Sequence, residues 1–195
     1  MKSLRHTPPL LVLLLACAWP ALATDFRLPL WGENEAAVRQ EGGIVAEQTP
    51  QEGMKALFVN DRMAGLDAFA IYLLTEDRLV RTKLYFAQKH WREEAFLDDF
   101  ARVEEALRRR YGQPLKSEEI WREGTAADRG NLGRMIAVGQ VVLMSRWEEG
   151  DTLVTHLLRG GDLNITHEVV YASKRLGQAS AEVMEQIRPP AEFRF

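Results

Sequence analysis

The stretch HWREEAFLDDFARVEEALRRRYGQP, residues 90–114, predicts the longest helix of the chain. Its apolar residues recur at steps of four, three and four, namely at Phe96, Phe100, Val103 and Leu107. This spacing places them along one side of a helix, with charged residues on the opposite side. Acidic residues begin the segment and arginines end it, as the helix dipole favours, and Gly112 is typical of the residue after a helix. We therefore expect an amphipathic helix over 91–111 that lies on a sheet.

The segments on both sides of this helix are typical of β-strands. Three precede it and four follow it, at 54–60, 66–74, 79–86, 115–121, 135–147, 152–159 and 164–173. Neighbouring segments lie about ten residues apart, which predicts antiparallel meanders. The expected fold class is therefore α+β. We expect an antiparallel sheet of six or seven strands in two meanders, packed by the long helix and by short helices near the termini.

Shorter elements complete the predicted domain. Asn34 is a candidate N-cap for a helix over 35–40, and the segment before Pro189 favours a short last helix. Residues 122–134 are rich in glycine and polar residues and lack periodicity. We expect a long mobile loop there, of the kind that often has a function.

The alternation of side chains predicts which residues face water and which face the core. In the strand 79–86, Arg81 and Lys83 stand at alternate positions, which predicts that they point to solvent. Four tryptophans beyond residue 23 lie near the ends of predicted elements, namely Trp31, Trp91, Trp121 and Trp147. We expect them to anchor the core, with a ligand groove or an interface as their alternative role.

His156 and His167 are the candidate site residues. If Gly161 and Asp162 form a two-residue turn, the two histidines pair directly across a hairpin. Two facing imidazoles could bind one metal ion, as part of a metal-binding or hydrolytic site. The same face carries apolar residues typical of a core, which favours a packed pair that shares a hydrogen bond, and acid would then destabilise it. No other metal or cofactor site is expected.

The N-terminal residues are typical of a secretory signal peptide. A short basic start precedes an apolar run at 10–18, which is shorter than the roughly 20 residues that span a bilayer. An Ala-Leu-Ala motif then ends at Ala23, with the small residues that a signal peptidase accepts. We expect residues 1–23 to be removed, so that Thr24 becomes the first residue and 24–195 forms a single domain.

Cys17 offers an alternative end to the signal. The sequence Leu-Leu-Ala-Cys ending at Cys17 loosely resembles a bacterial lipobox, in which the cysteine receives lipid and becomes the first mature residue. Cleavage after Ala23 would instead remove the only cysteine of the chain. The mature protein would then have no disulfides, thiolate metal sites or cysteine nucleophiles.

The charge of the chain argues against some classes of partner. The full sequence has 25 lysines and arginines and 28 acidic residues, for a net charge of −3. Removal of the signal takes away Lys2 and Arg5 and no acid, so the net charge becomes −5. An acidic domain disfavours binding to nucleic acid or to an anionic membrane. No serine lies in the Gly-x-Ser-x-Gly motif of hydrolases.

Four motifs together resemble small uncharacterised exported proteins of Gram-negative bacteria. They are LWGENEAAV at 30–38, AIYLLTEDRLVRTKLYF at 70–86, YGQP at 111–114, and DTLVTHLL with VVYAS between 151 and 173. The resemblance implies a helix start at Trp-Gly, a meander, a helix that ends in Tyr-Gly-x-Pro, and a second meander. RRRYGQP and LYF also show a looser likeness to the small lipoproteins of the outer-membrane assembly machine. Neither resemblance supplies catalytic residues.

These observations predict an exported, periplasmic and non-enzymatic protein. Its expected partner is another envelope protein or a small ligand, and we expect no membrane span in the mature chain. One alternative is a metal-binding or hydrolytic protein that uses His156 and His167. The other alternative is an outer-membrane lipoprotein anchored through Cys17.

Overall fold

Eight antiparallel strands form one sheet in the computed structural model, which describes residues 30–40 and 42–189. The first meander comprises β1 (Ile44–Gln48), β2 (Met54–Met63), β3 (Leu66–Thr75) and β4 (Arg78–Phe86). The second comprises β5 (Lys116–Trp121), β6 (Val141–Glu149), β7 (Thr152–Gly161) and β8 (Asn164–Ser173). The strand order is β1-β2-β3-β4-β8-β7-β6-β5, so the two meanders join where β4 pairs with β8. The expected signal peptide, with Cys17 and Ala23, and the expected first mature residue, Thr24, lie outside the described residues.

Helices pack on both faces of this sheet. They are α1 (Glu35–Gln40), α2 (Glu94–Tyr111), α3 (Leu132–Ala137) and α4 (Ala181–Gln186). Buried residues of α1, α2 and α3 pack on one face, which we call the front face. Met184 of α4 and the adjacent Ile187 pack on the opposite, back face, against apolar residues of β2, β3 and β4.

The predicted α+β class and the antiparallel sheet are confirmed, but the strand count is eight rather than six or seven. The unpredicted strand is β1, whose sequence Ile-Val-Ala-Glu-Gln is too short to show a clear alternation. The strand expected over 135–147 begins at Val141 instead. Its first residues belong to α3, because a short apolar run has the same composition in a strand and in a buried helix.

The region 122–134 is only partly the loop that its composition predicts. Arg129–Asn131 form a 3₁₀ turn that leads directly into α3. Gly133 allows this helix to pack against the start of α2, since a Cβ at Gly133 would lie 2.8 Å from the carbonyl carbon of Glu93. The glycines that suggested flexibility thus include one that permits a close contact.

The long helix α2 begins at Glu94, three residues later than expected, and ends at Tyr111 as predicted. Val103 and Leu107 are fully buried against the front face. Gly112 has a positive φ of 77°, and its N–H donates to the carbonyl of Arg108. The carbonyl of Gly112 accepts a 2.9 Å hydrogen bond from the indole of Trp147, which fixes the end of α2 to β6.

We predict that Gly160→Ala destabilises the fold whereas Gly161→Ala does not. A Cβ at Gly160 would lie 2.3 Å from the carbonyl oxygen of Ile136, so α3 would have to shift. The expected loss is about 1–3 kcal/mol of unfolding free energy, the usual cost of overpacking. A methyl group added at the neighbouring Gly161 would meet no atom within 4 Å, and this substitution should change stability by less than about 0.5 kcal/mol. Urea denaturation of both variants would test this, and equal stabilities would contradict it.

Candidate functional site

The structure brings His156 and His167 together, although not in the predicted register. Asp162 and Leu163, with φ values of 50° and 65°, form the turn between β7 and β8. His156 is therefore opposite Val169, and His167 is opposite Leu158. Because the partners shift by two residues, both histidines still point to the same face. Their Nε2 atoms lie 2.8 Å apart, along a diagonal of the hairpin.

The expectation of a turn at Gly161 and Asp162 was wrong for a tertiary reason. Gly160 is needed where the end of α3 approaches β7, as the position of the Ile136 carbonyl shows. The N–H of Leu163 also donates to the carbonyl of Ala137, at 3.1 Å. These two contacts hold the hairpin end against α3 and place the turn one residue later than the glycines suggest.

A carboxylate from α2 extends the histidine pair into a chain of hydrogen bonds. Glu104 Oε2 lies 3.0 Å from His156 Nδ1, and Glu104 Oε1 accepts from the hydroxyl of Ser145 at 3.0 Å. Arg108, one turn further along α2, donates to the same Oε1 at 3.1 Å. With Glu104 ionised, His156 donates through Nδ1 and accepts at Nε2, so His167 is the donor to His156.

Two phenylalanines enclose the imidazoles. The ring of Phe100 on α2 stacks on His156 at 4.0 Å, and the ring of Phe86 on β4 stacks on His167 at 4.2 Å. His156 has no exposed surface, and His167 is 3% exposed. The cluster formed by Glu104, His156 and His167 is therefore part of the core between α2 and the front face.

Burial determines the protonation of this cluster. It lowers the pKa of His156, although the hydrogen bond and the charge of Glu104 act in the opposite direction. Burial and the neighbouring His156 together hold the pKa of His167 well below its ordinary value. Burial raises the pKa of Glu104, but the hydrogen bonds from His156 and Ser145 and the charge of Arg108 leave it below its ordinary value. The neutral histidines and the ionised carboxylate are thus the stable forms near neutral pH.

This geometry is that of a packed hydrogen-bonded pair. The two Nε2 atoms that would bind a metal ion are hydrogen-bonded to each other. Within residues 30–40 and 42–189, no group of three histidine, cysteine, aspartate or glutamate side chains is placed to hold a metal ion. The metal or hydrolytic role of His156 and His167 stays a prediction.

A carboxylate–histidine pair is also the base of many hydrolases, in which the histidine contacts a nucleophile. Here the group that His156 contacts through Nε2 is a second imidazole, that of His167. The hydroxyl of Ser145 contacts Glu104 and the hydroxyl of Ser117, at 3.0 and 3.1 Å, and not a histidine nitrogen. The arrangement can transfer a proton within the cluster, but it places no serine for attack on a substrate.

The side chain of Lys83 is buried, which corrects the prediction that it faces water. It has no exposed surface, because α4 covers the back face at this point. Its ammonium donates to the carbonyls of Met184 and Ile187, at 2.6 and 3.1 Å, at the end of α4. Burial lowers its pKa to about 8, while Glu168, 3.9 Å away, acts in the opposite direction. Lys83 thus fixes α4 to the sheet. The alternating pattern of the strand gave no indication of this role.

The tryptophans differ in their burial. Trp147 is buried in the core, and Trp31 and Trp121 are partly buried against core clusters, as expected. Trp91, in the loop before α2, is fully exposed, so the core role expected for it was wrong. The loop itself is held by His90, whose Nε2 lies 2.6 Å from Asp99 and whose ring packs edge-on against Phe96.

An open depression of about 620 Å³ lies on the surface beside α1. Its lining includes Glu35, Arg39 and Lys55. Glu35 binds both cations, at 2.7 Å each, and these hydrogen bonds lower its pKa. Arg39 also pairs with Glu47. The charges of these four residues balance. The lining also includes Glu76, which pairs with Arg78, and Asp77, which accepts a hydrogen bond from the backbone N–H of Glu35.

Comparison with protein-family models, with curated proteins and with solved structures finds no match to this chain. The resemblance to exported Gram-negative proteins accordingly stays a prediction. Over the part of the chain that the structure describes, no helix is both long and apolar enough to cross a membrane.

We predict that acid destabilises the fold through His156 and His167. Both pKa values are lowered in the folded state, so below about pH 6.5 the unfolded chain binds more protons than the folded chain. Stability is then fully present above pH 6.5 and falls as the pH decreases. Between pH 7.5 and 5.5 stability should therefore fall, with the larger share from His167, whose pKa lies further below its ordinary value.

Urea denaturation of the wild type and of His167→Gln at both pH values would test this. Glutamine keeps a hydrogen-bonding amide near His156 but does not titrate, so the variant should lose the larger part of the pH dependence. An unchanged pH dependence in the variant, or equal wild-type stability at the two pH values, would show that the cluster does not titrate as described.

Proposed function

We propose that this chain is an exported, periplasmic protein that binds another protein of the cell envelope and has no catalytic reaction of its own. The observation that carries the proposal is a group of apolar side chains on the back face of the second meander. The group comprises Ile120, Val142, Met144, Leu153 and Leu157, and we call it the open strip. None of these residues belongs to the four buried clusters of the described chain.

The register of the strands brings four of the five residues together, while Leu153 lies apart from them, opposite Glu148. Ile120 is opposite Val142, and Met144 is opposite Leu157. The residues between them in sequence, such as Ser145 and His156, point to the front face and are buried. Val142, Met144 and Leu157 remain half-buried and Ile120 is exposed. An apolar surface with a charged rim is typical of a contact site for another protein.

The enclosure of the titratable cluster also supports a binding role. The groups best suited to acid–base chemistry are Glu104 and the two histidines, and they lie beneath the rings of Phe86 and Phe100. A substrate would have to separate α2 from the sheet to reach them. Partner binding on the opposite face needs no such opening.

The proposed export can be tested on the mature protein. Intact-mass spectrometry of the protein from the periplasmic fraction should give a chain that starts at Thr24 without modification. A chain that starts at an acylated Cys17 would support the lipoprotein alternative instead. Precursor that retains Met1 and stays in the cytosol would contradict export altogether.

The proposed binding can be tested by site-specific photo-crosslinking in cells. A photoreactive amino acid at Met144 should give a defined adduct with an envelope protein. Because a charge in the strip would have to be desolvated on binding, Leu157→Glu should reduce that adduct about tenfold or more.

A matched control uses Leu30, which is also an exposed apolar residue but lies before α1. The photoreactive residue at Leu30 should give no comparable adduct, and Leu30→Glu should leave the Met144 adduct unchanged. Thermal melting should show that both glutamate variants remain folded. If a photoreactive residue at Met144 gives no adduct in the wild-type background, the proposal fails.

A further inference from the structure

The two meanders and the two faces divide the sheet into four quarters, which differ in what covers them. α1 covers the front of the first meander, and α2 with α3 covers the front of the second. α4 covers the back of the first meander. On the remaining quarter, the back of the second meander, β8 is buried at Glu168, Val170 and Ala172, and Glu185 of α4 pairs with Arg159. Over β5, β6 and β7, no described helix contributes a residue to an apolar cluster. This quarter contains the open strip.

Arg146 stands within this quarter without a charge partner among the described residues. It lies on β6 between Met144 and Glu148 on the same face, opposite Lys116 on one side and Thr155 on the other. Its Nε atom is shielded from solvent and has no hydrogen-bond partner within the described ranges. Glu148, the nearest acid along the strand, pairs with Lys174 instead. Other charged groups of this quarter are paired, including Lys116 with Glu118 and Arg159 with Glu168.

On the front face of the same strands, an acidic residue of a helix packs against the sheet. α2 lies there with an apolar face, and Glu104 within that face meets Ser145, the neighbour of Arg146 in β6. An amphipathic helix that buries two carboxylates beside its apolar residues, Asp99 and Glu104, thus already covers one side of this meander. The opposite side presents a guanidinium next to Met144 of the open strip, without a charge partner in the described chain. A guanidinium is a stronger partner for a carboxylate than a serine is.

The size of the strip also favours a helix. The three strands β5, β6 and β7 are about 10 Å wide in total, which is close to the diameter of a helix with its side chains. The backbone groups of β6 are engaged with β5 and β7, so the face offers none to an added strand. A helix satisfies its own backbone hydrogen bonds and can therefore lie on a sheet face.

We propose that the open strip binds an amphipathic helix of a partner envelope protein, with a carboxylate of that helix bound to Arg146. This inference rests on the proposed function, because it names the chemistry of the partner at the same surface. Covering Arg146 with a purely apolar surface would leave a buried charge without a partner, which is strongly unfavourable. The carboxylate therefore contributes to recognition, and the apolar contacts provide most of the surface that binding buries.

The experiment uses the full chain in cells, with the photoreactive amino acid placed in turn at Val142, Met144 and Leu157. Mass spectrometry of the adducts should map the three positions to partner residues spaced three or four apart, with an acidic residue among them. Arg146→Glu should reduce the Met144 adduct at least about tenfold, and Arg146→Gln should act in the same direction. Arg146→Lys keeps the charge but not the planar guanidinium, so it should retain more of the adduct than Arg146→Gln does.

Each other outcome has a defined meaning. Partner residues spaced two apart would contradict a helical partner segment and leave the proposed function intact. An adduct only with lipid, or only between two copies of this chain, would contradict the proposed function as well. If folded Arg146→Glu gives an unchanged yield of the Met144 adduct, the proposed contact between Arg146 and a partner carboxylate is wrong, while the proposed function stays intact. Absence of any adduct in the wild-type background removes the proposed function itself, so the two failures can be told apart.

Discussion

The contact between Glu104 and His156 is the constraint on which the packing of the second meander depends. α2 has an apolar face, and Glu104 interrupts it. Apart from Arg108 on the same helix, Glu104 contacts donors among the described residues only where Ser145 and His156 lie side by side. A shift of α2 would separate Glu104 from both and leave a buried imidazole without its carboxylate, which is unfavourable. The buried polar groups thus select one position of the helix, while the apolar residues supply most of the stability.

The parts of the fold that follow from local pattern could be predicted from the sequence. The long helix, seven of the eight strands and the shared face of His156 and His167 are encoded in side-chain periodicity. β1 has five residues, too few for its alternation to stand out. The turn at residues 162–163 could not be predicted, because the position of Gly160 is determined by α3, which is distant in sequence. Glu104 was missed for the same reason, since a charged residue in a helix gives no local sign that its partner is a histidine fifty residues away.

Lys83 shows how a short element can invert a prediction about exposure. In isolation, β4 has the alternation of a strand with one face in water. α4 places two carbonyls over Lys83, and the ammonium then stays buried because it replaces its lost water contacts with hydrogen bonds to Met184 and Ile187. A helix of six residues has little stability of its own, so this cap and the packing of Met184 hold it in place. α4 is therefore held on the back of the first meander by the ammonium of Lys83 together with apolar side chains such as Met184.

β6 connects the enclosed cluster to the open strip, because adjacent residues of a strand point to opposite faces. Ser145 faces Glu104 on the front, and Arg146 faces the open strip on the back. A change on one side can therefore disturb the other through the strand. The two effects can still be separated, because only the front side contains the histidines whose protonation governs acid stability. A strip variant that loses its partner but keeps the wild-type dependence of stability on pH has lost a contact surface and not its fold. A variant in which both change has moved β6, and its loss of binding says nothing about recognition.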